Sequence, residues 1–142
     1  HPMRHFRDKL KKRRVLTAAE LFDCHQGQRV EVAGVVTCRQ QPATASGVVF
    51  ITLEDETGFL NLVLWRSVYE EYRLPARHAS ILLACGTIER QGRPPGVRVT
   101  TPHDPLVDEA ADVAPVIHVM VEALLRLDVP GRDIEKVSRD FH

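Results

Sequence analysis

The stretch Val48-Val-Phe-Ile-Thr-Leu-Glu-Asp-Glu-Thr-Gly-Phe-Leu-Asn-Leu-Val-Leu-Trp65 decides the fold. Hydrophobicity alternates with a period of two on both sides of Asp55-Glu-Thr-Gly58, a tight-turn quartet whose glycine can take positive φ. The pattern predicts strands over 48–54 and 59–65, joined as a hairpin. Val49, Ile51, Leu53, Leu60, Leu62 and Leu64 form one aliphatic face that must look inward. The opposite parity reads Phe50, Thr52 and Glu54 on one strand and Asn61, Val63 and Trp65 on the other.

Upstream, the period of two begins at Arg29 and runs to about Arg39, with Val30, Val32 and Val36 on one parity and Ala33, Val35, Thr37 and Arg39 on the other. Gly34 falls where a strongly bent strand wants no side chain. Gln40 to Gly47 is a polar, small-residue loop. Further upstream, Phe6 and Leu10 at helical spacing predict a basic helix over 3–14, with too little apolar face to stand alone. Thr17 and Glu20 form a capping box, opening a second short helix over 18–26 with Gly27 as its stop.

Downstream, residues 67–72 predict a short helix ended by Pro75, and 80–90 a strand with a bulge at Gly86. Residues 91–115 form a long Pro-rich, acidic connection with a β-like piece at 97–101. Val116 to Val121 is β-prone and suited to closing the sheet, whereas 122–127 favours a helix. This order of elements matches a mainly β, five-stranded Greek-key barrel of the OB type, with short N-terminal helices, a helix plugging the barrel between strands three and four, and an extended fourth-to-fifth connection. Closure removes the sheet edges. The chain divides into a basic helical lead-in at 1–28, the barrel at 29–127 with its inserted loop at 91–115, and a tail at 128–142.

With 142 residues, 44% hydrophobic and 27% charged, the chain suits one globular domain with modest extensions. No apolar run approaches the ~20 residues of a membrane helix, and the start carries no secretion signal, so a cytoplasmic protein is expected. His1 at the first position points to a piece of something longer. The zero net charge hides an asymmetry: residues 1–14 carry seven bases against Asp8, while 104–142 carry four bases against nine acids. A basic arm at one end and an acidic tail at the other fit a polyanion-binding module. Cys24, Cys38 and Cys85 suit neither a disulfide framework nor zinc knuckles and read as small buried apolar residues.

No phosphate loop, nucleophile elbow or metal-binding His pair is present, so neither a catalytic centre nor a cofactor or metal is implied. Glu54, Asp55 and Glu56 read as a solvated turn. His118 lies inside a strand, where it either bonds phosphate or stacks on a base from an outward face, or serves as a hydrogen-bonded wall residue. Binding is better supported. Phe50 and Trp65, with Thr52 and Asn61 between them, make a stacking platform with polar flanks on the outward face of the hairpin. The alternative for Trp65 is packing under the helix that carries Tyr69 and Tyr72. Cations sit where a backbone would run: Arg39 beside Gln40 and Gln41, Arg66 after Trp65, and Arg90, Arg93 and Arg98 along the long connection.

The runs Val30 to Pro42, Thr44 to Gly58 and Asn61 to Trp65 resemble the C-terminal OB domain of bacterial error-prone DNA polymerases, the translesion homologues of the replicative polymerase III alpha subunit. The N-terminal segment, Val116-Ile-His-Val119 and the final Ser138-Arg-Asp-Phe-His142 resemble the same family, which has a tight turn in place of residues 91–115. The resemblance implies contact with single-stranded template DNA beside a polymerase active site during damage-induced synthesis and repair. It also implies that the catalytic carboxylates lie elsewhere in a longer chain. Arg39, Phe50, Asn61 and Trp65 correspond in position to the DNA-facing surface. The partners implied are single-stranded DNA, the rest of the polymerase and a mutagenesis accessory protein, with no membrane. Two other readings stand beside it: a protein-docking barrel, and the anticodon-binding barrel of an aminoacyl-tRNA synthetase.

Overall fold

The computed structural model describes residues 1–41, 47–91 and 116–128. Five strands, β1 (Arg29–Gln40), β2 (Val49–Asp55), β3 (Gly58–Leu64), β4 (Ile81–Gln91) and β5 (Val116–Arg126), close into a barrel in the order β1-β2-β3-β5-β4. All neighbours are antiparallel except β3 and β5, which run parallel. This is the mainly β OB barrel expected from the sequence. The strand expected at 97–101, Arg93, Arg98 and the tail beyond Asp128 lie outside the described residues.

The hairpin decides the register. Val49, Ile51, Leu53, Leu60, Leu62 and Leu64 are all at most 3% exposed and line the barrel interior with Val30, Val32, Leu82, Ile88 and Val119. Burying one such side chain stabilises by roughly 1.5–3 kcal/mol, so slipping the hairpin by one residue would expose six and cost on the order of 10 kcal/mol. At Gly34 β1 passes close against β2: a Cβ there would sit 2.9 Å from Glu54 O and from Leu53 Cβ. At Gly86, where the β4–β5 register shifts, the approach is closer still.

The lead-in is part of the same body. A 3-10 turn at Pro2–Phe6 runs into α1 (Arg7–Lys12), and Met3 and Leu10 are fully buried. They pack with Val15, Ala33, Leu83, Cys85, Ala123 and Leu127 in a second apolar cluster on the outside of β1, β4 and β5. The capping box forms as expected: Thr17 N donates to Glu20 Oε1 at 2.9 Å, and Glu20 N donates to Thr17 Oγ1 at 3.2 Å. The segment it opens is a 3-10 turn, Ala19–Asp23, and not a helix to residue 26.

Three other expectations are corrected. Residues 122–126 continue β5, because pairing of Ala123 to Arg126 with Cys85 to Leu82 on β4, beyond a bulge at Glu122, outweighs a weak helix preference. Pro75 does not end the helical connection. After α2 (Arg66–Glu71) a second helix, α3 (Arg73–His78), carries Pro75 in its first turn, where no intrahelical donor is lost. Ala76 and Ala79 enter the main core, and Val68, Tyr69 and Tyr72 pack against it. Finally, Cys24 and Cys85 are buried as expected, but Cys38 is exposed.

The acidic turn also differs from a solvated one. Asp55 is 2% exposed and accepts hydrogen bonds from Ala18 N (2.8 Å), Thr57 N (2.7 Å), Thr57 Oγ1 (2.7 Å) and Gly58 N (3.1 Å). Its neighbour Glu56 takes the Arg7 guanidinium, Nε to Oε2 at 2.8 Å, which holds the Glu56 carboxyl below its usual range. The turn thereby pins the lead-in to one end of the barrel.

Candidate nucleic-acid interface

The alternation that fills the barrel leaves an outward face across β2, β3 and β5. One polar row crosses it: Cys38 pairs with Thr52, Thr52 with Asn61, Asn61 with His118 and His118 with Glu89. Beside it runs a more apolar row, in which Gln40 pairs with Phe50, Phe50 with Val63 and Val63 with Met120. Trp65 lies two residues beyond Val63 on the same parity, within diagonal cross-strand reach of Phe50. It is 57% exposed, so it is not core beneath α2 and α3. Phe50, Thr52, Asn61 and His118 are half-buried, as a flat binding surface requires, whereas Val63 is covered at 7% exposure.

Phe59 also belongs to this face, although the sequence pattern did not single it out. It is 62% exposed opposite Glu54, and its parity with Asn61 and Trp65 was the signal that could have found it. Phe22, 52% exposed on the second 3-10 turn, joins Phe59, Asn61 and Val116 around a hollow of about 270 Å³ beside the polar row. No periodic signal marks Phe22, because it depends on how that turn lies across the barrel.

Two of the expected cations do not face this surface. A bulge between Val36 and Cys38, where Thr37 Oγ1 donates to Thr52 O, reverses the parity of the end of β1. Arg39 therefore pairs with Ile51 on the interior side, and its guanidinium donates to Ala76 O (2.6 Å) and Ala79 O at the end of α3. Arg90 is likewise on interior parity, opposite Ile117, and donates to Phe22 O (2.6 Å) and Cys24 O (2.7 Å). Each arginine closes one end of the barrel by satisfying carbonyls that a short helical turn leaves open. Arg66 is exposed and pairs with Glu70 at 3.1 Å across one helical turn, and Gln41 is exposed at the end of β1. Gln41 and Arg77 share a hollow with Arg39 and Tyr69.

His118 stands in the middle of the polar row with its Nδ1 buried and without a hydrogen-bond partner among the described residues. Burial pushes its pKa below the ordinary 6.5, against the opposing pull of Glu89. The imidazole is therefore neutral near pH 7. A depressed histidine pKa means that the unfolded chain takes up the proton first. The stabilising contribution is complete above pH 6.5 and is lost as pH falls from there through the folded value. Urea midpoints between pH 7 and 5.5 should drop more for the natural chain than for His118→Gln; equal slopes would remove this assignment.

Among the described residues no group of three or more His, Cys, Asp and Glu is placed to hold a metal ion, and no helix is long and apolar enough to cross a membrane.

Comparison with known proteins agrees with this fold. The family model described as an OB-fold nucleic acid binding domain matches residues 30–103. The error-prone DNA polymerase of Teredinibacter turnerae is 37% identical over 142 residues, all of this chain and 12% of the relative. That of Anaeromyxobacter dehalogenans strain 2CP-C is 50% identical over 99 residues, 70% of this chain and 9% of the relative. The chain thus spans about a tenth of the length of the polymerases it matches, and the resemblance seen in its motifs is to these proteins. Among solved structures, asparaginyl-tRNA synthetase from Pyrococcus horikoshii aligns over 89% of this chain and 26% of its own, with a TM-score of 0.55 at 18% identity, a likeness of fold.

Proposed function

The chain belongs to the family of OB-fold nucleic acid binding domains, and from that premise we propose that it holds single-stranded template DNA as the C-terminal module of an error-prone DNA polymerase acting in translesion synthesis and repair. The observation that carries this reading is the outward face of β2 and β3, where Phe50, Phe59 and Trp65 surround the Thr52–Asn61–His118 row. Rings of this kind accept any base, and the amide and imidazole bond its edge or sugar. The polymerase names of the relatives support the setting. Nucleotidyl transfer belongs to other parts of such a polymerase, in the cytoplasm, and this domain positions the strand.

With Arg39 and Arg90 committed to carbonyls, two exposed guanidinium groups stand beside the face: Arg66, which follows Trp65, and Arg77, which lines a hollow with Gln40 and Gln41. Salt dependence should therefore be modest: about two phosphates engaged, at a slope in log K against log salt of about −0.7 for each. Fluorescence anisotropy on labelled oligo-dT at two salt concentrations measures it. Trp65 is the single tryptophan, so quenching of its emission by unlabelled oligo-dT reports the face directly. Phe50→Ala and Trp65→Ala should each weaken binding by about 1–3 kcal/mol. Oligo-dT that neither binds at low salt nor quenches Trp65 would exclude the reading.

The exposed pair Phe22 and Phe59 also suits a protein, and a mutagenesis accessory factor is the second partner proposed. Phe22→Ala should then reduce capture of that partner while leaving oligo-dT affinity unchanged.

A further inference from the structure

The basic lead-in folds onto the outside of β1, β4 and β5, with its first residues tied to the β2–β3 turn by His1–Glu54 and Arg7–Glu56. Its cations divide into two sets. Arg7 is committed to Glu56 and Asp55, and Arg13 to Glu31, Nε to Oε1 at 2.7 Å. Arg4, Lys9, Lys11, Lys12 and Arg14 are exposed. Leu10 O closes α1 by accepting from Val15 N at 2.8 Å, and Arg14 sits in that reversal at φ 67°. A left-handed backbone is a conformation glycine adopts without strain and arginine does not. The reversal returns Arg13 to Glu31 and leaves Arg14 at the mouth of a hollow of about 470 Å³, shared with Arg13, Gln28, Arg29, Glu31 and Cys85. Arg29 is held at its rim by Glu122 at 2.8 Å.

We propose that this wall, formed by α1, the Arg13–Arg14 reversal and the start of β1, is a second nucleic-acid surface that takes the phosphate backbone of double-stranded DNA. Three observations carry it. Among the described residues the hollow has no aromatic ring in its lining, so nothing there stacks an unpaired base. The acid in its lining, Glu31, is engaged by Arg13, and Glu122 outside the lining by Arg29, so the exposed cations of residues 1–14 outnumber their one exposed acid, Asp8. The hollow lies at the start of β1, by Arg29 and Glu31, whereas Phe50 pairs with Gln40 nine residues beyond Glu31, roughly 30 Å along that strand at ~3.3 Å per residue, so it is not the rim of the stacking face. A rigid duplex, with one charge per ~1.7 Å of axis, is the polyanion that such a charge-only surface favours through counterion release. One domain would then hold the unpaired strand on one side and a paired segment on the other.

The test uses the full chain and a labelled 20-base-pair duplex, followed by anisotropy at two salt concentrations, alongside quenching of Trp65 by oligo-dT. Lys11→Ala combined with Arg14→Gly removes two exposed charges, and the glycine relieves the left-handed backbone, so the variant should fold at least as well. Duplex affinity should fall about tenfold and the salt slope shrink by about 1.8, at ~0.9 per phosphate, while quenching by oligo-dT stays as in the natural chain. Duplex binding that is absent in the natural chain, unchanged in the variant, or itself quenches Trp65 would overturn the proposal. Loss of oligo-dT quenching with duplex binding still sensitive to Arg14 would instead remove the single-strand reading and leave this one standing.

Discussion

Asp55→Ala should lower the stability of the protein by about 3 kcal/mol, read as a shift of the urea midpoint at unchanged m. Asp55 is the buried acceptor of four hydrogen bonds, from the backbone of Ala18, Thr57 and Gly58 and from the Thr57 hydroxyl. Alanine leaves the Ala18 amide buried without its partner and removes the bonds that close the β2–β3 turn. It also takes away the carboxylate 3.8 Å from the Arg7 guanidinium, whose Nη1 already lacks a partner among the described residues. Asp55→Asn keeps one acceptor oxygen but turns an amide NH2 toward donors, so its loss should lie between the two. Because Asp55 joins the second 3-10 turn to the hairpin, the Phe22–Phe59 hollow should open in both variants. A loss below about 1 kcal/mol for the alanine variant would mean that water replaces the carboxylate without cost.

Gly86→Ala is expected to cost at least as much, against the usual sign of such a change. Glycine to alanine commonly stabilises by about 0.4–1 kcal/mol where the backbone permits, by restricting the unfolded chain. At Gly86 the added Cβ would lie 2.2 Å from Met120 O and 2.9 Å from Val119 Cγ1. The first contact is with backbone, so relief requires β4 and β5 to separate at the seam that joins the last strand to the barrel. A loss above about 3 kcal/mol should appear as a drop in thermal midpoint of roughly 10 °C or more. Gly34→Ala, whose closest contacts are 2.9 Å, should be the milder of the two. A Gly86→Ala protein that melts with the natural chain would show that the strands can part there without cost.

Most of the barrel was legible because its strands obey a local rule. Alternation from residue 48 to 65 gave the hairpin, its register and its six-residue interior, and the glycines at 34 and 86 marked where strands bend or meet closely. The misread elements are those in which partners distant in sequence outweigh local preference. Residues 122–126 have helical character but extend along β4, and Pro75 looks like a terminator but fits the first turn of α3. Asp55 reads as a solvated turn residue until Ala18 arrives from the lead-in to cover it.

The candidate interface divides in the same way. Phe50, Thr52, Asn61 and Trp65 share a face for the reason the aliphatic residues share the other, and Phe59 was available by the same parity. Arg39 and Arg90 were not readable as barrel closures. One extra residue at the β1 bulge turns Arg39 inward, and the carbonyls that receive the two guanidinium groups belong to segments 37 or more residues away. The sequence by itself determined which residues face the core and which face out, since side-chain direction in a strand follows from adjacent peptide units. Which outward groups remain open to a ligand was decided only by the tertiary structure, because that depends on what the closed barrel brings alongside them.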